Sequence, residues 1–172
     1  RPLEAMAAEG LISYSVANIG RDVTNTAAYF ARKITQNTAA LLCVHTSNVD
    51  GQVMPIAELG RLAAKFGMLF IVDAAQAAGS AAIDMAADGI DLLCVPGHKG
   101  LYGPSGSGAL LVRERAPLRS LIEGGTGSES MQKKQPTLLP EALESGTLPV
   151  SSIVGLGEGV RFVGELGAAN IG

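Results

Sequence analysis

Lys99 stands in a glycine-rich turn, PGHKGLYGPSGSG, directly after the apolar run DLLCV. A lysine amine is the side chain that forms covalent adducts with carbonyl compounds, although most lysines are solvated surface residues. Two further apolar runs also end in polar groups. AALLCV is followed by His45, Thr46, Ser47 and Asn48, and MLFIV is followed by Asp73 and, three residues later, Gln76. A carboxylate such as Asp73 favours the charged form of a neighbouring cation, and an aspartate at a strand end also serves as a cap or a solvated loop residue. The amides of Gln76 and Asn48 offer hydrogen bonds to a ligand, and Asn48, ahead of Val49-Asp50-Gly51, equally suits a turn. His98 flanks the lysine. His45 reads as a strand-end hydrogen bonder rather than a catalyst.

These residues matter as a set only if the elements before them end at one place. AALLCVH (39–45), MLFIV (68–72) and DLLCV (91–95) are continuous apolar runs of strand length, as expected of strands buried on both faces. GALLV (108–112) is a fourth strand, and LISYSV (11–16) alternates apolar residues with serine or tyrosine as a strand with one covered face does. Between them lie helical patterns. Residues 22–33 carry a stripe of Val23, Ala27, Phe30 and Ala31 with Asp22 available as N-cap. A second helix has Pro55 in its first turn, a stripe of Ile56, Leu59, Leu62, Ala63 and Phe66, and Gly67 as its stop. A last helix begins near Ser151, with Ile153, Leu156, Val160, Val163 and Leu166 on one side. Residues 122–140 shift to Gly, Ser, Gln, Lys and Pro and read as a long exposed loop. The alternation of strands and helices implies an α/β fold, a mostly parallel sheet with helices on both faces. In such sheets ligands gather at the carboxyl ends of strands, where the polar residues named above fall.

The composition narrows the function classes. With 172 residues, 47% hydrophobic and 17% charged, the chain has the makings of one core-rich domain. The net charge of -3, with lysines and arginines scattered, argues against a nucleic-acid partner. No apolar run is as long as a bilayer span, and the N-terminus lacks the apolar stretch of a secretory signal. Cys43 and Cys94 sit inside apolar runs and read as small buried hydrophobes in a reducing compartment. Neither has metal-ligand spacing, so no metal site is expected. The glycines at 103, 106 and 108 precede a strand and lack the following helix of a dinucleotide loop. Both ends of the chain look cut, the first inside an uncapped helical segment.

SNVDG, VDAAQ and GHKGLYGP, in this order and spacing and with EGGTG and ESGTLPV further on, resemble the cysteine desulfurase/class V aminotransferase family of fold-type I pyridoxal-phosphate (PLP) enzymes. The resemblance covers essentially the whole chain. It implies that residues 1–172 are a partial PLP-binding large domain without the small C-terminal domain, that PLP is the cofactor, and that Lys99 is catalytic, carrying PLP as a Schiff base. It implies that Asp73 keeps the pyridinium protonated so that the ring acts as an electron sink. Gln76 and Asn48 match amides near the cofactor's phenolate oxygen, and His98 matches a phosphate-contacting histidine. Thr147 matches a threonine that reaches the phosphate of a neighbouring subunit, which implies a homodimer; it also suits a cap before the last helix. Thr126 is a weaker phosphate candidate. Pro96 stands where many members have a phosphate-binding Ser or Thr, and it supplies neither hydroxyl nor N–H. The implied reaction is release of sulfur from L-cysteine to give L-alanine, in the cytoplasm, with a sulfur-acceptor protein as partner and neither nucleic acid nor membrane involved. A class V aminotransferase or selenocysteine lyase-like enzyme shares the same cofactor residues, and a non-enzymatic module on this fold is a third reading. The family's sulfur-accepting cysteine has no match here, since Cys43 and Cys94 lie in expected strands.

Overall fold

The computed structural model describes residues 1–20, 23–127 and 131–171. Its centre is a four-stranded sheet, β1 (Ala40–Val44), β2 (Leu69–Asp73), β3 (Leu92–Pro96) and β4 (Gly108–Val112), in the order β1-β2-β3-β4. The first three strands are parallel and β4 is antiparallel to β3. All four coincide with the apolar runs of the sequence. Parallel neighbours require a crossover, and α3 (Ile56–Lys65) supplies it between β1 and β2.

The helix α3 buries Ile56, Leu59, Gly60 and Ala63, four of its residues at helical spacing. It meets the sheet face formed by Leu41 and Cys43 of β1, Phe70 and Val72 of β2, and Leu93 and Val95 of β3. Leu59, Phe70 and Val72 have no exposed surface there. Of the two helices ahead of α3 in the chain, α1 (Pro2–Ala8) buries no residue, while Ala27 and Phe30 of α2 (Thr26–Ala31) pack on the same cluster. This element is shorter than the expected helix, since Val23–Asn25 form a 3-10 turn; its expected cap, Asp22, lies outside the described residues.

Three expectations need correction. The first concerns residues 11–16, which form no strand; Leu11 and Val16 are each 61% exposed. Alternation stabilises a strand only through a ladder partner and a face to cover it, and this segment has neither. The second is burial on both faces. β1 alternates exposed and buried, with Leu42 46% and Val44 39% exposed. By register these two share a face with Cys94 and Leu110, and no helix among the described residues covers it. Cys94 is therefore exposed rather than buried, while Cys43 is buried as expected. The third is the last helix, α4 (Val150–Leu166). It forms where expected, but Ile153, Val160 and Leu166 of its apolar stripe remain nearly half exposed and only Val163 is buried. The side it presents to the molecule carries Gly155, Leu156 and Gly159, which meet residues 97–104.

At the amino ends of β2 and β3 the buried Asp91 carboxylate binds the chain together. It accepts a hydrogen bond from the Phe70 N–H at 2.9 Å and a two-pronged contact from the Arg115 guanidinium at 2.5 Å. Burial by itself would raise the Asp91 carboxyl. The hydrogen bonds from Arg115 and Phe70, with the charges of Arg115 and Arg113, outweigh it and hold the group below its ordinary value.

Candidate active site

The parallel register sets Val44 beside Asp73 and Asp73 beside Cys94, so β1 and β2 end level while β3 runs two residues further, to Pro96. The ladder continues one residue past them, with the His45 N–H donating to the Asp73 carbonyl at 2.8 Å and the Ala74 N–H to the Cys94 carbonyl at 3.0 Å. Each strand then enters a turn whose hydrogen bonds fix a polar side chain. After β1, Ser47 Oγ accepts from the Val49 N–H at 3.2 Å, and Asp50 Oδ1 accepts from the Gln52 N–H at 3.2 Å. Ser47 and Asp50 therefore build this turn through their side chains, and Asn48, between them, lines a cavity.

After β2, one Asp73 oxygen accepts the Ala75 N–H at 2.9 Å. The carboxylate is thereby oriented with a second oxygen left to act. The turn that follows carries Gln76. After β3, Gly97 donates to the Ser107 carbonyl and Gly103 to the Gly97 carbonyl, both at 2.8 Å, closing the loop on which His98 and Lys99 sit. Tyr102, whose N–H donates to the Lys99 carbonyl at 2.9 Å, takes a positive φ of 55°, rare for a residue with a side chain.

These turns enclose a cavity of about 240 Å³ lined by Val44, Thr46, Asn48, Asp73, Ala75, Gln76 and Lys99. Four sequence candidates, Lys99, Asp73, Gln76 and Asn48, meet there. His98 is exposed beside Lys99 and is not among the lining residues. Thr147 is exposed in the segment before α4 and lies outside the lining as well. Its loop joins the GGTG segment, since the Gly146 N–H donates to the Gly125 carbonyl at 2.8 Å. His45 points to the covered face. It is buried, with Nδ1 3.0 Å from Thr46 Oγ1, and burial lowers its pKa against the opposing charge of Asp88. That suits the strand-end role expected of it.

Val44 and Ala75 have no place in the reading of the sequence, where Thr46 appears only among the polar residues that follow β1. The signal was present in the two-residue spacing of Val44, Thr46 and Asn48, which continues one face of β1 past its end.

The surroundings of both cysteines disfavour the thiolate. Burial pushes the Cys43 thiol up to about 12, and burial together with the Asp73 charge raises Cys94. A larger cavity, about 640 Å³, opens between the chain after β4 and residues 133–143. It holds Arg113, Arg119, Lys133 and Lys134 but none of the strand-end residues, so size does not mark the chemistry here.

The family model described as aminotransferase class-V matches residues 3–172. The chain belongs to the class-V aminotransferase family. A relative called probable cysteine desulfurase in Methanothermobacter thermautotrophicus is 33% identical over 142 residues, covering 80% of this chain and 36% of its own length. Cysteine desulfurase IscS of Azotobacter vinelandii is 37% identical over 152 residues, with 87% and 34% covered. The solved apo structure of a cysteine desulfurase from Thermococcus onnurineus is similar with a TM-score of 0.79 at 28% identity, covering 97% of this chain and 42% of that one. SspA solved in complex with cysteine gives a TM-score of 0.66 at 36% identity, with 78% and 36% covered. This class-V aminotransferase chain thus spans about a third of the length of the curated relatives it matches. No helix among the described residues is long and apolar enough to cross a membrane.

Proposed function

We propose that this chain is the cofactor-holding part of a PLP-dependent cysteine desulfurase, which converts L-cysteine to L-alanine and passes the sulfur to an acceptor thiol. The observation that carries the reading is the convergence of Lys99, Asp73, Gln76 and Asn48 on one cavity at the carboxyl ends of three parallel strands. The donor set fits the cofactor. Lys99 offers an amine for its aldehyde, Asp73 a carboxylate already oriented by the Ala75 N–H for its ring nitrogen, and the two amides hydrogen bonds for its ring oxygen. When bound, PLP supplies an electron sink for the carbon next to the substrate amine.

The chain's own residues do the rest. Asp73 holds the proton on the ring nitrogen. Gln76 and Asn48 fix the plane of the ring, with Val44 and Ala75 as apolar walls. Lys99 Nζ is the only amine lining the cavity among the described residues, so it is the group that moves a proton to or from the substrate. His98 and Thr147 contact the cofactor phosphate in this reading, Thr147 from a second copy in a homodimer. The acceptor protein and a cytoplasmic setting belong to the same reading; the names of the relatives support its desulfurase part alone.

The test is to follow alanine, sulfide and keto acid when the intact protein is given PLP and L-cysteine, against a PLP-only control. Alanine with sulfide is expected, and Lys99→Ala is expected to cost at least about a hundredfold in rate. A keto acid product would make the protein an aminotransferase. A borohydride-reducible adduct persisting in Lys99→Ala would show that another lysine carries the cofactor.

A further inference from the structure

The loop bearing Lys99 is gripped from two sides, and the tightest approach on each side is to backbone. On one side lies the turn that also carries Gln76. A methyl group at Gly79 would sit 1.9 Å from the Gly100 carbonyl oxygen, and one at Gly100 would sit 2.4 Å from the Ala78 carbonyl oxygen. On the other side lies α4, where a methyl at Gly159 would sit 2.1 Å from the Leu101 carbonyl oxygen and 3.0 Å from the Tyr102 carbonyl carbon. Gly103 packs on Leu156 at similar range, and Gly155 packs on the Pro104 ring. Gly79 and Gly159 are both buried. The positive φ of Tyr102 falls within the second grip, two residues after Gly100 in the first.

Two contacts on opposite sides of a loop fix its position along the line joining them. Here that line sets how far the Lys99 amine stands from Asp73 and Gln76, because Gly79 belongs to the same turn as Gln76. Side chains at such contacts would add rotamers and slack, whereas backbone against backbone leaves none. We propose that Gly79 and Gly159 are positioning residues that hold Lys99 in register with the Asp73 side of the cavity, an inference that rests on Lys99 carrying the cofactor. An added methyl at either glycine displaces the loop, and displacements of about 1 Å at a reacting group cost on the order of tenfold to a hundredfold in rate.

Gly60 supplies the comparator. A methyl there would sit 1.8 Å from the Asp88 carbonyl oxygen, as tight a clash as any above, but between α3 and the 84–89 turn, away from Lys99. The experiment measures, in the intact protein, the rate of covalent PLP attachment, with the modified lysine identified by borohydride reduction and peptide mapping. Amide hydrogen exchange across residues 97–104 is measured without cofactor. Gly79→Ala and Gly159→Ala are expected to slow attachment at Lys99 by about tenfold or more and to speed exchange in the loop. Gly60→Ala is expected to lower thermal stability while leaving attachment within about twofold of the parent, a difference too small to reflect loop displacement. A methyl at Gly155 would sit 2.6 Å from Pro104 Cγ, a milder overlap than those with the backbone oxygens, so Gly155→Ala is expected to fold and to slow attachment to an intermediate degree. If Gly60→Ala slows attachment as much as the loop variants, or if Gly155→Ala and the folded loop variants attach at the parent rate, the positioning role is wrong. Attachment at another lysine in the unsubstituted protein overturns the functional reading and this inference together.

Discussion

Asp73 and Asp91 are two aspartates of one sheet with opposite assignments, and their surroundings decide which does what. Asp91 is fully buried, paired with Arg115 and bonded to the Phe70 N–H, so its charge is spent on holding strands together. Asp73 is exposed at a strand end with one oxygen committed to the Ala75 N–H. Asp73→Ala is expected to cut turnover by about a hundredfold or more and PLP affinity by much less, since the ring nitrogen's partner matters most when negative charge develops during reaction. Turnover at saturating PLP, measured beside PLP affinity, checks this.

For Asp91 the folded pKa is held below that of the unfolded chain. Its stabilisation is therefore present above the ordinary aspartate value of about 3.9 and is lost as pH falls through the depressed folded value. Urea midpoints taken from neutral pH downward are expected to fall more steeply below about pH 4 in the parent than in Asp91→Asn. Asp91→Ala, which leaves the buried Phe70 N–H without its acceptor, is expected to cost about 1–3 kcal/mol at neutral pH.

Among the elements, α3 carries the core. Leu59 has no exposed surface and lies against the sheet beside Phe70 and Val72, so Leu59→Ala is expected to cost about 2–5 kcal/mol by denaturant titration. α4 works differently. It contributes little burial through its larger side chains and approaches residues 97–104 through Gly155 and Gly159, so its stabilisation of the loop is a matter of fit rather than of apolar area.

For the whole molecule, the cavity is open on the sheet face that carries Leu42, Val44 and Leu110. Thr147 does not line the cavity of its own chain, and in the proposed reading it acts across a dimer. Mixing Lys99→Ala protein with Thr147→Ala protein is then expected to restore activity in hybrid dimers, one site carrying both lesions and the other neither. Assays of each parent and of the mixture after subunit exchange check this. A fully active Thr147→Ala homodimer would remove the premise.

Apolar runs bounded by turn residues are a local signal, and they placed all four strands, α3, α4 and, over the described residues 122–127 and 131–140, the irregular segment after β4 without any structure. The polar residues ending those runs marked Lys99, Asp73, Gln76 and Asn48, because a side chain that interrupts a buried run must face either a turn or a ligand. Pairing and cover, by contrast, are properties of distant segments. Residues 11–16 have the pattern of a strand and no partner; β1 has the composition of a doubly buried strand and one bare face; Cys94, apolar in context, is exposed on that same face. Val44, Thr46 and Ala75 became cavity walls only when register brought the carboxyl ends of three strands side by side. The grip on Lys99 was hidden for the same reason. Glycines at 79, 100 and 159 are unremarkable in a chain with 22 of them, and only the fold shows which ones have another backbone where a side chain would be.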